Sequence, residues 1–282
     1  MSDTVSAIFD VVAETADDIR DGLVERRAYR DEENPSGERQ LAADVYADDL
    51  LEERLLALDG VAAHASEERE DVSDAGGGEY HVACDPLDGS SNLQSNNGIG
   101  TVLGVYDSPL PAPGGDLVAA GYVLYGPITT MVTAREGTAA EYLVENGSRE
   151  TLENDLELPA EPVVYGFGGR IPDWTDDFRE YVTGIEADRL KLRYGGAMVG
   201  DVNQVVTYGG IFGYPMLDGR PEGKLRLQFE AQSIAAIVEA AGGASSNGSR
   251  SLLAVDPSRL HERTPTFVGN AELIDALEAA LD

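Results

Sequence analysis

The stretch that decides the fold occupies residues 85–92 and reads Asp85-Pro86-Leu87-Asp88-Gly89-Ser90-Ser91-Asn92. Residues 80–84, which precede it, are largely apolar and partly β-branched, a pattern that predicts a buried strand. Asp85 would stand at the end of this strand, where Pro86 is expected to lead the chain out of the sheet. Asp88 follows soon after, so that it can turn back toward Asp85 and bring two carboxylates to one place.

The second half of this run is suited to binding a phosphate group. Gly89 allows the backbone to approach an anion closely, and the N–H groups of Ser90, Ser91 and Asn92 can open a helix toward phosphate oxygens. Magnesium prefers carboxylate oxygens together with phosphate oxygens and water. An Asp-Pro turn followed by a serine helix cap is the simpler explanation, but the complete run favours divalent cations that hold a phosphate.

Two further acidic segments support a metal site. Glu67 and Glu68 follow the mostly apolar residues 55–63. Glu230 ends the alternating residues 223–229, which predict a strand that leads into a helix over 231–241. In a chain this acidic, a single Glu pair most often belongs to a solvated surface. A phosphatase that uses two metal ions needs carboxylates from separate segments, and the three acidic segments together meet that need.

The composition is that of an acidic globular protein. The 282 residues include 52 acidic and 20 basic ones, which gives a net charge of −32, and 42% are hydrophobic. This charge argues against nucleic-acid and anionic membrane partners, and no apolar run is long enough to span a membrane. The acidic N-terminus lacks the basic region of a secretory signal, and the lone Cys84 has no partner for an internal disulfide. We therefore expect a cytoplasmic protein.

Lysine is nearly absent from this chain. Only Lys191 and Lys224 are lysines, and the other basic residues are arginines. Pervasive acidity with so little lysine is typical of adaptation to molar intracellular salt, because salt at ~1 M screens charges over about 3 Å. The composition therefore predicts a protein adapted to high intracellular salt, and Lys224 stands out because it lies in the third acidic segment.

Hydrophobic periodicity predicts helices and strands that alternate in layered, mixed sheets, without a strict βαβ order. We expect helices over 5–25, 38–58 (which carries Asp44), 176–182, 199–208, 231–241 and 271–281, and strands over 80–84, 98–106, 117–125, 131–134, 140–144, 163–167 and 266–268. Residues 30–37 and 71–78 are predicted loops because of their Pro, Asn and Gly content.

The chain resembles the class I fructose-1,6-bisphosphatases of the sugar/inositol phosphatase superfamily from about Glu38 to its end. The matching segments are residues 66–68, 85–92, 100–106, 119–122, 193–194, 208–215 and 223–230. The resemblance implies a layered α/β (α+β) protein, an αβαβα sandwich of two intimate halves that forms a homo-oligomer, either a tetramer or a dimer. We expect an N-terminal half over 1–158 with the metal-binding carboxylates and a C-terminal half over 159–282 that binds the sugar phosphate.

The resemblance also implies an activity, the Mg2+-dependent hydrolysis of the 1-phosphate of D-fructose 1,6-bisphosphate, which is a step of gluconeogenesis. Asp44 and Glu68 would take the proton of the attacking water, and Glu38 would belong to a mobile loop that covers the metals. Two or three Mg2+ ions per subunit, with Mn2+ as a substitute, would be held by Glu67, Glu68, Asp85, Asp88, Glu230 and the carbonyl of Leu87.

Substrate contacts follow from the same resemblance. The 1-phosphate would be held by Asp88, Gly89, Ser90 and Ser91, and the sugar and the 6-phosphate by Tyr194, Tyr214 and Lys224. Arg193 would reach into the site of the neighbouring subunit. Without the resemblance, these tyrosines and this arginine would be interpreted as ordinary packing residues.

Two of the departures from the family pattern concern individual ligand-binding positions. The Asn and Tyr contacts to the 6-phosphate, which are expected within residues 166–171, are replaced by Gly168, Gly169 and Arg170. Glu79 and Asp107 stand where the family carries basic residues for AMP. We therefore expect AMP to inhibit poorly.

Two other functions fit parts of the sequence. An inositol monophosphatase-like or dual-specificity sugar phosphatase would share the metal site, but a monophosphate requires no second anion site of the kind that Lys224 and Arg193 suggest. A non-catalytic acidic module that binds cations would share the carboxylates, but it requires no phosphate-binding run after Asp88. Phosphate release from both substrates, with and without Mg2+, distinguishes these functions.

Overall fold

The helices of the chain lie close to the predicted ranges. The computed structural model describes residues 3–35, 37 and 39–282. Within these residues there are six α-helices: α1 (Thr4–Gly22), α2 (Ala42–Leu56), α3 (Asp176–Ala187), α4 (Met198–Tyr208), α5 (Gln232–Ala240) and α6 (Ala271–Leu281). None of the helices in this described part of the chain is both long and apolar enough to cross a membrane.

The first large sheet is antiparallel except for one parallel pair. In the described residues it has eight strands: β3 (Val61–Ser66), β4 (Ser73–Asp74), β5 (Tyr80–Asp88), β6 (Ile99–Tyr106), β7 (Leu117–Tyr125), β8 (Thr129–Arg135), β9 (Thr138–Glu145) and β10 (Ser148–Glu153). Their order is β10-β9-β8-β7-β6-β5-β3-β4, and β3 runs parallel to β5. This parallel pair brings the carboxyl ends of β3 and β5, and therefore two of the acidic segments, to the same edge of the sheet.

The second large sheet is mixed. Among the described residues it has five strands in the order β12-β11-β13-β17-β15: β11 (Val164–Phe167), β12 (Lys191–Leu192), β13 (Gly210–Tyr214), β15 (Ala244–Ser246) and β17 (Thr266–Gly269). Two short pairs complete the fold. They are β1 (Tyr29–Glu33) with β2 (Arg39–Leu41), and β14 (Leu225–Arg226) with β16 (Arg263–Thr264).

Three of the four apolar clusters in the described residues order these elements into five layers. One face of the eight-stranded sheet, which includes Leu103, packs against α1 and α2. The opposite face, which includes Val102, packs against α4 and α5, and these two helices also cover Phe212 of the five-stranded sheet. The far face of the five-stranded sheet packs against α3 and α6. The predicted αβαβα sandwich is therefore confirmed.

Strand β5 continues through the decisive motif instead of ending before it. Its pairing with β6 shifts register between Asp85 and Asp88, so that the motif forms a bulge. Pro86 lies in this bulge, where its missing N–H costs little, and its carbonyl accepts a hydrogen bond from the Thr101 hydroxyl at 2.9 Å. The prediction that Pro86 leads the chain out of the sheet is wrong, because a bulge accommodates the proline within the strand.

Two predictions for the N-terminal region are also wrong. Residues 30–37, predicted as a loop, contain most of β1, and β2 occupies the start of the predicted helix over 38–58. Helix α2 begins only at Ala42, because Leu41 is extended and Asp44 caps the first turn by accepting the Leu41 N–H at 2.6 Å. Glu38 lies outside the described residues, so its predicted role in a loop over the metals stays a prediction.

Glu230 lies in a helical turn rather than at the end of a strand. Only β14 is extended, and residues Leu227–Ala231 form a single π-helical turn that leads into α5. All residues of this turn are buried, so periodicity alone does not distinguish it from a buried strand. The Glu230 carboxylate accepts the N–H of Arg226 at 2.7 Å and so caps the turn from within.

Candidate active site

The three acidic segments meet at one cavity of about 440 Å³. It lies beside the bulge of β5, the first turn of α2 and the π-helical turn. Its lining contains the predicted site residues Asp44, Glu67, Glu68, Asp85, Leu87, Asp88, Gly89, Ser90, Ser91, Tyr214, Lys224 and Glu230. Of the predicted site residues, Arg193 and Tyr194 lie outside this lining.

Three buried carboxylates form the centre of the acidic end. One oxygen each from Glu67, Asp85 and Glu230 lies within 4.8 Å of the other two. Glu67 directly follows β3, where its N–H donates to the carbonyl of Cys84 at 3.0 Å and so fixes it beside β5. These residues come from a strand end, a bulge and a π-helical turn, which explains why no local spacing in the sequence relates them.

The crowded carboxylates raise one another's pKa. Burial and the negative charges of Glu67 and Glu230 hold the pKa of Asp85 well above its usual range. Burial, followed by the charge of Glu67, raises the pKa of Glu230 to about 8. Burial also raises the pKa of Asp88 to about 7, although the N–H of Val199 donates to its Oδ2 at 2.8 Å and opposes the rise.

Glu68 and Asp44 form a second acidic pair on the α2 side of the cavity. Burial and the charges of Glu67 and Asp44 raise the pKa of Glu68 to about 8. The side-chain amide of Gln40 donates to Glu68 Oε2 at 2.5 Å and orients it. A carboxylate with a pKa near neutrality is a suitable proton acceptor at physiological pH.

The donor set fits a divalent cation of the magnesium type. Such cations bind oxygen ligands, and the cluster of Glu67, Asp85 and Glu230 offers only carboxylate oxygens. One guanidinium offsets part of this charge, because Arg226, itself fully buried, forms an ion pair with Glu67 at 2.9 Å. A buried cluster of this kind is costly while its carboxylates are ionised and uncompensated, so a bound cation would stabilise it.

The phosphate-binding run forms a tight turn beside the carboxylates. Gly89 has a φ of 70°, and a Cβ at this position would lie 2.2 Å from the Cβ of Ala197, so only glycine fits. Residues Ser90–Leu93 then form a short 3₁₀ turn. The N–H of Asn92 donates to the Gly89 carbonyl at 2.8 Å and closes this turn. The prediction that the Asn92 N–H faces a phosphate is therefore wrong.

The part of the site around Tyr214, called here the aromatic end, carries a cation. The hydroxyls of Tyr194 and Tyr214 lie 2.8 Å apart, and the Lys224 ammonium lies 5.3 Å from the ring centre of Tyr214. The Tyr214 ring occupies the place of a side chain at position 168, since a Cβ on Gly168 would lie 2.0 Å from it. Arg193 is exposed, and its backbone N–H donates to the Tyr165 carbonyl at 2.7 Å.

Several residues of the site were not predicted from the sequence. Arg226 lies within the third acidic segment, and a charged residue inside such an apolar run was the signal that could have indicated it. Asn34 and Gln40 line the cavity beside Glu68, but their loop and strand give no sequence signal. Asp201 in α4 accepts hydrogen bonds from the backbone beside Tyr194, an arrangement that only the tertiary structure reveals.

Two family models together match nearly the whole chain. The model described as fructose-1-6-bisphosphatase, N-terminal domain, matches residues 4–150, and the corresponding C-terminal domain matches residues 158–282. The chain is 66% identical to a class 1 fructose-1,6-bisphosphatase of Natronomonas pharaonis over the full length of both proteins. It is 60% identical to that of Halobacterium salinarum, over all of this chain and 98% of the relative.

A solved structure supports the same relationship. The crystal structure of Leishmania major fructose-1,6-bisphosphatase in its holo form superposes with a TM-score of 0.90 at 30% sequence identity. The alignment covers 98% of this chain and 92% of the Leishmania chain. The similarity therefore extends over both large sheets and over the cavity between them.

Proposed function

Because the chain belongs to the class 1 fructose-1,6-bisphosphatase family, we infer that it hydrolyses the 1-phosphate of D-fructose 1,6-bisphosphate to fructose 6-phosphate and inorganic phosphate. The resemblance found in the sequence is confirmed, and the two relatives named above come from halophilic archaea, in agreement with the salt adaptation that the composition predicts. At the level of residues, the observation that carries the proposal is one cavity whose lining contains both the clustered carboxylates and Lys224 with Tyr214.

We propose that two or three Mg2+ ions bind at the acidic end. Their ligands would be the side chains of Glu67, Glu68, Asp85, Asp88 and Glu230 with the Leu87 carbonyl. Bound cations neutralise phosphate charge and favour deprotonation of a water molecule. The support for this assignment is the oxygen-only donor set and the raised pKa values of Asp85, Asp88 and Glu230.

The protein's own groups would prepare the attack. Glu68 and Asp44 would accept the proton of the attacking water, because both carboxyl groups line the cavity on the α2 side of the proposed metal ligands. The Val199 N–H would hold Asp88 in place through its 2.8 Å hydrogen bond. Ser90 and Ser91 would bind oxygens of the transferred phosphate, because Gly89 brings their backbone to the cavity wall.

The aromatic end would bind the sugar and the second phosphate. Lys224 is a cationic group of the cavity lining beside Tyr214, and its ammonium is suited to a phosphate oxygen. Tyr194 and Tyr214 can donate to sugar or phosphate oxygens, since burial and Tyr194 raise the pKa of Tyr214 and keep its hydroxyl protonated. A second anion site of this kind favours a bisphosphate over a monophosphate.

We also propose a cytoplasmic homo-oligomer, either a tetramer or a dimer. Arg193 is exposed and lies outside the cavity of its own chain, which suits a role in the site of a neighbouring subunit. Light scattering coupled to size-exclusion chromatography in molar KCl measures the subunit number. A monomer that is fully active on the bisphosphate would contradict this part of the proposal.

The activity is tested by phosphate release. Purified protein in molar KCl is treated with EDTA and assayed with fructose 1,6-bisphosphate and with inositol 1-phosphate, before and after addition of Mg2+. We expect release from the bisphosphate only with Mg2+, and much slower release from inositol 1-phosphate. Equal rates on both substrates would favour a dual-specificity phosphatase, and no Mg2+-dependent release from either would contradict the proposal.

A further inference from the structure

Residues 193–197, called here the bridging loop, separate two cavities. Gly196 lines the active-site cavity, whereas Gly195 and Ala197 line a second cavity of about 480 Å³ on the other side, together with Asp201. Open space on both sides leaves Gly195 and Gly196 with fewer packing contacts than a segment inside the core, although Ala197 itself is buried. Hydrogen bonds therefore contribute strongly to holding the bridging loop in place.

Those hydrogen bonds converge on Gly195. Its carbonyl accepts the side-chain amides of Asn92 at 2.8 Å and of Asn97 at 2.9 Å. Its N–H donates to Asp201 Oδ1 at 2.5 Å, and the N–H of Gly196 donates to Asp201 Oδ2 at 3.2 Å. The backbone of the bridging loop is thus bound from the phosphate-binding turn on one side and from α4 on the other.

The Asp201 carboxylate is buried, and because burial of a charge costs free energy, it depends on its hydrogen-bond partners. It is 3% exposed, and burial raises the pKa of its carboxyl to about 6, while the N–H groups of Gly195 and Gly196 oppose the rise. In the described part of the chain no ion pair offsets its charge, so these two N–H groups are its principal partners. A buried carboxylate held by two amides fixes both peptide groups strongly, because charge-assisted hydrogen bonds are stronger than neutral ones.

The bridging loop contacts both ends of the active site. Ala197 packs against Gly89 of the phosphate-binding turn. A Cβ added to Gly89 would lie 2.2 Å from the Cβ of Ala197. Tyr194 reaches the aromatic end through its 2.8 Å contact with the Tyr214 hydroxyl. A displacement of the loop would change the distance between the two ends, and the substrate must span that distance.

We propose that Asp201 and Asn92 are positioning residues that clamp the bridging loop and thereby set the spacing between the two phosphate-binding ends. The clamp selects a substrate that engages both ends over one that engages the metal end alone. This inference rests on the proposed bisphosphatase function for its kinetic consequence, but the clamp itself is a property of the backbone and is measurable without substrate.

The clamp is tested first by hydrogen exchange. In Asp201→Asn, one side-chain oxygen becomes an NH2 group that faces the Gly196 N–H, so we expect the amides of residues 195 and 196 to exchange faster by ~10-fold or more. Amides in the second half of α4 serve as the internal reference and should not change. The matched control is Gln204→Ala, a change on the same helix and in the same second cavity. Unchanged exchange at 195 and 196 in Asp201→Asn would overturn the clamp.

The kinetic test compares two substrates in the same Mg2+ buffer. Fructose 1,6-bisphosphate engages both ends, whereas p-nitrophenyl phosphate engages the metal end alone. In Asp201→Asn we expect kcat/KM for the bisphosphate to fall ~10-fold, mainly through KM, and in Asp201→Ala ~100-fold. The rate on p-nitrophenyl phosphate should change less than about 3-fold. Asn92→Ala should act in the same direction.

The outcomes separate the two proposals. Faster exchange with a selective loss on the bisphosphate supports the clamp and its positioning role. Equal losses on both substrates, or no loss on either, overturn the positioning role even if exchange is faster. If the wild-type protein releases no phosphate, the proposed function fails, and hydrogen exchange still decides whether the clamp exists. If Asp201→Ala does not fold, Asp201→Asn decides.

Discussion

The acidic end and the aromatic end of the active-site cavity differ in how much their formation costs in folding free energy. At the acidic end, Glu67, Asp85 and Glu230 are buried within 4.8 Å of one another, and the pKa values of Asp85 and Glu230 are raised. At the aromatic end, the hydroxyls of Tyr194 and Tyr214 bind each other at 2.8 Å. The acidic end therefore costs folding free energy until a cation binds, whereas the two tyrosine hydroxyls at the aromatic end satisfy each other without a ligand.

The backbone conformation also differs between the two ends. Asp85 and Asp88 flank a β-bulge, and Glu230 lies in a π-helical turn, two departures from regular structure that aim side chains at one point. Tyr214 lies in a regular strand, and Tyr194 lies in a loop that hydrogen bonds hold. Chemistry and stability therefore oppose each other at the acidic end, whereas the aromatic end, which we propose binds the second phosphate, forms at little cost.

The largest expected effect is that of Asp88→Asn. Removing a charged ligand at the acidic end should lower kcat on fructose 1,6-bisphosphate by roughly a thousandfold or more, because several kcal/mol of charge stabilisation is lost. The metal-free variant should melt no lower than the wild type, since one repulsive charge is gone. Phosphate release and circular dichroism measure both effects. Asp107→Asn is the control, and activity above about a tenth of wild type would contradict the metal-site assignment.

Lys224→Ala tests the other end. Loss of one charge-assisted contact is worth roughly 1.5–3 kcal/mol, so kcat/KM on the bisphosphate should fall about ten- to a hundredfold while p-nitrophenyl phosphate hydrolysis is nearly unchanged. The chain provides its own control, because Lys191→Ala removes the only other lysine, which is exposed on β12. If both substrates lost activity equally, Lys224 would be a structural residue and the two ends would not be separable.

The pH dependence of stability is the third test. The pKa values of Glu68 and Glu230, about 8, and of Asp88, about 7, are raised above their unfolded values. The metal-free folded state therefore binds more protons than the unfolded state, and its free energy of unfolding should fall as the pH rises from about 5 to about 8. Saturating Mg2+ should flatten this dependence. Calorimetry of EDTA-treated and Mg2+-loaded protein measures it, and a metal-free stability that rises over this range would refute the account.

The smallest effect concerns salt. With a net charge of −32, self-repulsion in dilute buffer is large, so the melting temperature should rise from about 0.1 M toward molar KCl. Mg2+ should raise the melting temperature more at the low-salt end, because there the acidic cluster lacks competing cations. Differential scanning calorimetry across the salt series checks both statements. A flat profile would contradict the halophilic interpretation of the composition and leave the phosphatase function untouched.

Much of the fold followed from local patterns. The range Ala271–Leu281 agrees with the prediction for α6, and β7 matches residues 117–125. Such elements are determined by side chains three or four residues apart in a helix, or two apart in a strand. The bulge at Pro86 and the π-helical turn before α5 were not predicted, because both depend on neighbouring strands and on complete burial, which local periodicity does not contain.

The sequence by itself determined the chemistry of the site: which segments carry carboxylates, where glycine permits a tight turn, and which lysine lies in the same segment as Glu230. Only the tertiary structure decided the geometry: that Glu67, Asp85 and Glu230 share one cluster, that Arg226 pairs with Glu67, and that Asp201 holds the bridging loop. The reason is physical. Residue types are read directly from the sequence, whereas distances between residues far apart in the chain are set by the packing of whole layers.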